Sequence, residues 1–364
     1  MSLDNNTIVA ALRKVKDPNS GQDIISVRMV EDFSVEGNNV SFSINLSGQD
    51  AQVKQSVNFA CIQAIQEVYP DAQVHIHLKS ASGSEPLKNK VLPQVANVIA
   101  VASGKGGVGK STVSVNLAIS LANRGAKVGL IDADLYGPSI PTMMGLQGER
   151  PKVEMLHGKH KIVPLEAHGV KVMSVGFIVE PEQAVVLRGP RLGGIIKQFI
   201  NDCMWPDLDY LIIDLPPGTG DIQLTLVQTI PVTGAIIVTT PQEVAIIDAV
   251  KAMNMFLLDI VNVPIIGIVE NMSWFTPAEL PNNKYLIFGE GGGKKLAKLS
   301  KTVLMGQIPL VQGIREGGDN GIPVAMQDDN PLKAKFDDLA LSMIQQVQMR
   351  NEVMGPTRVV EMKS

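Results

Sequence analysis

The 364-residue chain reads as an α/β protein: a mostly parallel sheet alternating with helices, preceded by a smaller α/β unit. Three observations predict it. Short apolar runs rich in Val and Ile, first among them Val98-Ile99-Ala100-Val101-Ala102, have the character of strands covered on both faces. Two later runs end in carboxylates, Asp132 and Asp214, at the strand ends where open α/β sheets bind ligands. The first eighty residues carry their own helix, strand, strand, helix, strand order ahead of a polar linker.

Residues 1–80 are the smaller unit. Thr7–Val15 predict a helix with Ile8, Val9, Leu12 and Val15 on one side, ended by Asp17-Pro18-Asn19-Ser20-Gly21. Ile24–Val30 and Val40–Leu46 predict strands, the second alternating Val40, Phe42, Ile44 and Leu46. A helix over Gln52–Val68 follows, and a strand over Gln73–Leu78 closes the unit. Cys61 lies on that helix's apolar side and reads as a packed thiol. His75 and His77 share a strand face, weak ground for a metal site. Residues 81–94 are a linker, opened by the Ser, Gly and Pro of Ser80–Pro86.

The larger unit spans 95–350 and leaves 351–364 as a tail. Its first strand runs into Ser103-Gly104-Lys105-Gly106-Gly107-Val108-Gly109-Lys110-Ser111-Thr112, which holds G-x-x-x-x-G-K-[ST] from Gly104 to Ser111. A helical apolar face follows from Val113 to Ala122, so the motif stands between strand and helix as it must. The glycines let successive N–H groups converge on one anion, and the helix start turns its positive end to the same place. Lys110 adds a point charge for the outer phosphates, and the Ser111 hydroxyl is a ligand for Mg²⁺. Residues Gly104 through Thr112 are therefore the candidate nucleotide contacts. Lys105 is a second lysine early in the loop, and the run Lys105–Thr112 as a whole argues against reading it as a merely solvated charge.

Lys127–Ile131 predict a strand ending in Asp132-Ala133-Asp134, where Asp132 is either a ligand-side carboxylate or a turn residue. Asp209–Asp214 predict another, and Asp214 fits the carboxylate that holds Mg²⁺ through water. Pro216-Pro217-Gly218 is a stiff hinge beside it, and Asp221 reads as a helix cap. Strands over Ala235–Thr239, Ile265–Val269 and Val303–Ile308 alternate with helices. The methionines of the apolar helix near Gln242–Asp259 read as core. Cys203 closes an amphipathic helix carrying Ile195, Ile196, Phe199 and Ile200, and reads as buried packing. The Pro331–Gln348 helix shows a core stripe rather than a membrane-surface face, because basic residues do not line its other side.

A 45% hydrophobic content and a net charge of −4 describe an ordinary soluble protein and favour neither nucleic acid nor an anionic membrane as partner. Two cysteines far apart offer no disulfide framework and suit a reducing cytoplasm. Neither a signal peptide nor a membrane-spanning run is expected.

With Lys105 ahead of Lys110, the loop resembles that of the deviant P-loop ATPases, the group of MinD, ParA and the nitrogenase iron protein. Asp134-Leu135-Tyr136-Gly137-Pro138-Ser139, Arg188-Gly189-Pro190, Asp214–Asp221 and Glu270-Asn271-Met272-Ser273 are similar to stretches of the Mrp-type (ApbC-like) iron–sulfur cluster carriers. Residues 1–80 resemble the small α/β domain of iron–sulfur assembly factors, so the likeness covers nearly the whole chain. It implies a P-loop NTPase that binds and hydrolyses ATP with Mg²⁺, acts as a homodimer, and carries Fe–S clusters to apoproteins alongside other assembly proteins. By the same resemblance Lys105 reaches the partner's nucleotide, and Asp134 positions or polarises the attacking water. Ser111, Asp132 and Asp214 organise Mg²⁺, and Asn271, Pro309 and Leu310 hold adenine. The chain departs from the pattern in one respect. Members commonly carry a Cys-x-x-Cys pair after the stretch matching Glu270–Ser273, but Trp274–Tyr285 contains no cysteine, so the cluster ligands are unassigned. A MinD- or ParA-like positioning or regulatory ATPase, or a chaperone that has lost the cluster, is the alternative.

Overall fold

The computed structural model describes residues 4–17, 20–27, 29–46, 51–79, 91–134, 137–156, 158–178, 189–220, 223–224, 230–259, 261–277 and 279–354. They divide into two compact units, one of residues up to 87 with 301–303 and 344–355, the other of 88–300 with 304–343.

In the first unit, α1 (Asn5–Leu12) begins two residues before the expected start, because the Asp4 carboxylate accepts the Thr7 N–H at 2.9 Å and caps it. Strands β1 (Val30–Glu36) and β2 (Asn39–Asn45) form an antiparallel hairpin, and β3 (Gln73–Lys79) runs parallel to β2. Helix α2 (Ala51–Val68) lies between β2 and β3 in the chain. The strand expected over Ile24–Val30 is not there. Instead the Asp23 carboxylate accepts the Ser26 N–H at 2.8 Å and the Val27 N–H returns to the Asp23 carbonyl, which makes a turn. The strand starts at Val30 and returns through Gly37-Asn38, where Gly37 takes φ 61°. Ile8, Leu12, Phe42, Ile44, Cys61 and Ile65 are all buried in the core between helices and sheet.

The second unit is an eight-stranded sheet. Its strands are β4 (Val95–Ala102), β5 (Val128–Asp132), β8 (Leu165–Ala167), β9 (Val170–Ser174), β10 (Leu208–Asp214), β11 (Gly234–Thr239), β12 (Ile265–Phe275) and β13 (Leu304–Leu310). The order is β13-β12-β11-β4-β10-β5-β9-β8, parallel throughout except for the β8–β9 pair. A separate hairpin, β6 (Val153–Leu156) with β7 (Lys159–Ile162), stands outside the sheet. Among the described residues its helices are α3 (Lys110–Asn123), α4 (Ile140–Met143), α5 (Gly189–Asn201), α6 (Glu243–Leu257), α7 (Gly292–Leu299) and α8 (Gln312–Asp319), and α9 (Lys333–Val353) belongs to it as far as Met343 and to the first unit from Ile344. The central strands are buried along nearly their whole length, as their unbroken apolar runs require.

Strands β6 to β9 escape a reading by apolar runs, since all four residues of β6 are exposed and β7 reads Lys-His-Lys-Ile. β12 and β13 run past their expected ends at Val269 and Ile308, so Asn271 and Pro309-Leu310 lie within strands rather than after them. Met253 and Met255 of α6 are core side chains, and Cys203 is buried just beyond α5. Among the described residues no helix is long and apolar enough to cross a membrane.

Candidate nucleotide site

The β4–α3 loop sits where the chain leaves the middle of a parallel sheet, and its shape follows from close backbone contacts. An ideal Cβ on Gly104 would lie 2.0 Å from the Asp248 carbonyl carbon on α6, so the loop leaves β4 pressed against that helix. Gly109, at φ 81°, is the cap of α3, and a Cβ there would meet the Asn271 amide nitrogen at 2.1 Å. Both positions exclude any side chain. Between them Val108 is buried, while Lys105, Gly106 and Gly107 are exposed. Residues 105–112 surround a cavity of about 180 Å³, completed by Ser103, Asp134, Ser139, Met143 and Pro217.

Parallel register sets the carboxylates beside one another. Asp214 pairs with Val101 of β4 on one side and with Asp132 of β5 on the other, and both carboxylates are fully buried. Asp214 accepts the Lys110 ammonium at 2.7 Å and the Ser111 hydroxyl at 2.6 Å on Oδ2, and the Ser114 hydroxyl at 2.6 Å on Oδ1. Lys110 Nζ is also 3.8 Å from Asp134 Oδ2. A buried carboxylate is tolerated here because cation and hydroxyl donors surround it. Asp132 accepts the Ser174 hydroxyl at 2.8 Å and the Asp134 N–H at 3.1 Å. Burial, and then the charge of Asp214, push its carboxyl up to about 7. Ser111, Asp132 and Asp214 thus gather hard oxygen donors and excess buried acidity, the set a divalent cation takes and relieves.

The loop after β10 is tied to the phosphate loop by backbone. The Gly218 N–H donates to the Ser103 carbonyl at 2.8 Å, and the buried Gln223 amide donates to the carbonyls of Pro216 and Gly218. Asn271 donates to the Val108 carbonyl at 2.9 Å, buttressing the loop from β12. Register places Ile308 of β13 opposite Asn271, so Pro309 and Leu310 come to the same sheet end, though outside the lining of the cavity. Asp221, Arg188 and residues 80–90 of the expected linker lie outside the described residues, whereas Leu92, at its far end, is buried in the core of the second unit. Sequence reasoning missed Ser114, Ser174 and Gln223. Ser114 alone had a signal, a hydroxyl one helical turn beyond Lys110 on the buried side of α3.

The thiols stand apart from this site. Cys61 and Cys203 belong to different units, both are buried, and desolvation pushes each up to about 12, away from the thiolate that binds iron. Where the cysteine pair was expected, Phe275 exchanges backbone hydrogen bonds with Tyr285 at 2.9 and 2.8 Å, and Lys284 lies 4.6 Å above the Trp274 ring. Among the described residues no group of three or more His, Cys, Asp or Glu is placed to hold a metal ion.

Comparison with known proteins agrees with this fold. Residues 94–347 match the ParA family described as NUBPL iron-transfer P-loop NTPase, and residues 5–78 match the iron–sulfur cluster assembly protein family. The iron–sulfur cluster carrier protein of Synechocystis is 43% identical over 339 residues, 92% of this chain and 94% of that protein. That of Escherichia coli is 49% identical over 260 residues, 71% of this chain and 69% of that one. Among solved structures, a nucleotide-binding protein in complex with ADP from Archaeoglobus fulgidus is 36% identical. It superposes with a TM-score of 0.57 over 68% of this chain and 94% of that one. The cell division ATPase MinD of Pyrococcus furiosus, 23% identical with a TM-score of 0.50 over 68% of this chain and 98% of that one, shares the fold.

Proposed function

The chain belongs to the family of NUBPL-type iron-transfer P-loop NTPases, and from that premise we propose that it is an ATP-hydrolysing homodimer that carries iron–sulfur clusters to apoproteins in the cytoplasm. The observation that carries the nucleotide half of this reading is the convergence of Lys110, Ser111 and Ser114 on Asp214 beneath a glycine loop. The loop N–H groups and the start of α3 bind the phosphates, and Lys110 neutralises the outer ones. Ser111, with Asp214 and Asp132 behind it, would hold Mg²⁺, which would supply neutralisation of the phosphate charge. Asp134 faces the cavity and orients the attacking water, while Asn271, Pro309 and Leu310 bound the adenine end. Gly218 reports the outcome, because its N–H is bonded to the phosphate loop at Ser103. The small unit, 1–80, and the ATPase unit, 95–350, are joined in this reading by the linker 81–94.

The cluster is cargo, and this chain's own thiols do not form the expected port. Any cluster is therefore held weakly or through ligands other than a Cys-x-x-Cys pair. A second reading, an assembly chaperone that handles the client rather than the cluster, draws on the same buried thiols. Anaerobic reconstitution with iron and sulfide separates them from the family pattern. Little iron per dimer should survive a desalting column. A stable stoichiometric cluster abolished by Cys203→Ser or Cys61→Ser would show that those thiols are ligands and not packing.

A further inference from the structure

We infer that Ser174 is a positioning residue for nucleotide hydrolysis: its hydroxyl fixes the Asp132 carboxylate, which in turn fixes the backbone of Asp134. The inference rests on the ATP-hydrolysing reading above.

Ser174 ends β9 and is fully buried. Its Oγ donates to Asp132 Oδ2 at 2.8 Å and accepts the Gly176 N–H at 2.9 Å. Donor and acceptor are both committed, so the hydroxyl is locked in one orientation. The other oxygen of Asp132, Oδ1, accepts the Asp134 N–H at 3.1 Å. Register explains why these groups meet. Asp132 stands opposite Ser174 on one flanking strand and opposite Asp214 on the other. The Asp214 charge opposes a second carboxylate, and the hydroxyl on the far side anchors Asp132 against that repulsion.

The same turn supports the segment beyond Asp134. Past Ser174 the 3-10 turn Val175–Phe177 brings Gly176 so close to Pro138 and Pro141 that a Cβ on it would lie 3.1 Å from one and 3.2 Å from the other. Those prolines flank Ser139, which lines the cavity together with Asp134. The end of β9 therefore underlies both the backbone that carries Asp134 and the chain that completes the cavity wall. Ser174 is not among the residues lining the cavity, so its influence reaches the reaction indirectly, chiefly through Asp132 and Asp134 and secondarily through the Gly176 turn.

The test is steady-state ATP turnover with Mg²⁺, with nucleotide affinity measured in parallel by a fluorescent ATP analogue. Ser174→Ala should lower kcat by about 10- to 100-fold, the cost of a misplaced reacting geometry, while KM and affinity stay within about 3-fold. Ser174→Thr, which keeps the hydroxyl on a strand residue, should recover most of the turnover. If Ser174→Ala does not fold, Ser174→Cys, similar in size but a weak donor, takes its place. Unchanged kcat in Ser174→Ala, a loss of affinity in step with kcat, or Ser174→Thr no better than Ser174→Ala overturns the inference alone. Wild-type protein that binds nucleotide but turns over none overturns the hydrolytic reading together with it.

Discussion

Lys110→Ala is expected to lose nucleotide binding, while Asp134→Ala is expected to bind ATP and hydrolyse it slowly. Lys110 is 6% exposed and its ammonium sits 2.7 Å from Asp214, so its position is fixed before any phosphate arrives. Removing one partner of such a buried ion pair costs about 3–5 kcal/mol, which corresponds to roughly 10²- to 10⁴-fold in affinity if felt at the phosphates. Asp134 sits differently. Its side chain is 13% exposed, it borders the cavity, and it lies 3.8 Å from Lys110 rather than in the Asp214 network. Loss of a group that acts on the water should cost about 10²- to 10⁴-fold in kcat and little in affinity. Calorimetric titration with ATP and turnover at saturating ATP read the two effects separately. Asp134→Ala turning over at the wild-type rate would show that another group handles the water.

Lys105 carries the second large expectation. It is exposed at the mouth of the loop, and its carbonyl accepts the Ser103 hydroxyl at 3.0 Å, so its backbone is held while its charge is presented outward. If it acts on the partner's nucleotide, it works as a cation supplied in trans, a contact worth about 10³–10⁵ in rate. Lys105→Ala and Asp134→Ala homodimers should then both be nearly inactive. Their heterodimer should regain one intact site, with Asp134 from one chain and Lys105 from the other. Random one-to-one mixing makes about half the dimers mixed, each with one of two sites restored, so roughly a quarter of wild-type turnover is expected. Demonstrated subunit exchange with turnover still at the level of the parents would show that Lys105 serves its own chain.

Much of the site was legible because local chemistry and fold demand the same residues. Gly104 and Gly109 are required by the phosphate loop and again by the contacts with Asp248 and Asn271. Asp132 and Asp214 end apolar strands, and a parallel register then leaves them side by side. Ser174 was not legible. Nothing in Val-Lys-Val-Met-Ser marks a ligand-side strand end, and its partner lies forty-two residues away on β5. The hairpin β6–β7 and edge strand β8 were hidden for a related reason, since short strands that are partly or wholly exposed lack the apolar run that marks a central one. In the small unit an Asp23-centred turn overrode the strand propensity of Ile24-Ile25-Ser26-Val27. The cysteines show the converse. Family likeness predicts a thiolate port, yet both thiols here are spent on packing.

The most direct measurement follows iron itself. Protein loaded anaerobically in place with radiolabelled iron and sulfide is mixed with an apo iron–sulfur enzyme, with and without Mg–ATP, and the iron recovered in the re-isolated acceptor is counted. The account predicts transfer that Mg–ATP alters and that Lys110→Ala leaves indifferent to nucleotide. No transfer above a protein-free iron and sulfide control, or transfer by wild type that Mg–ATP does not change, would contradict it.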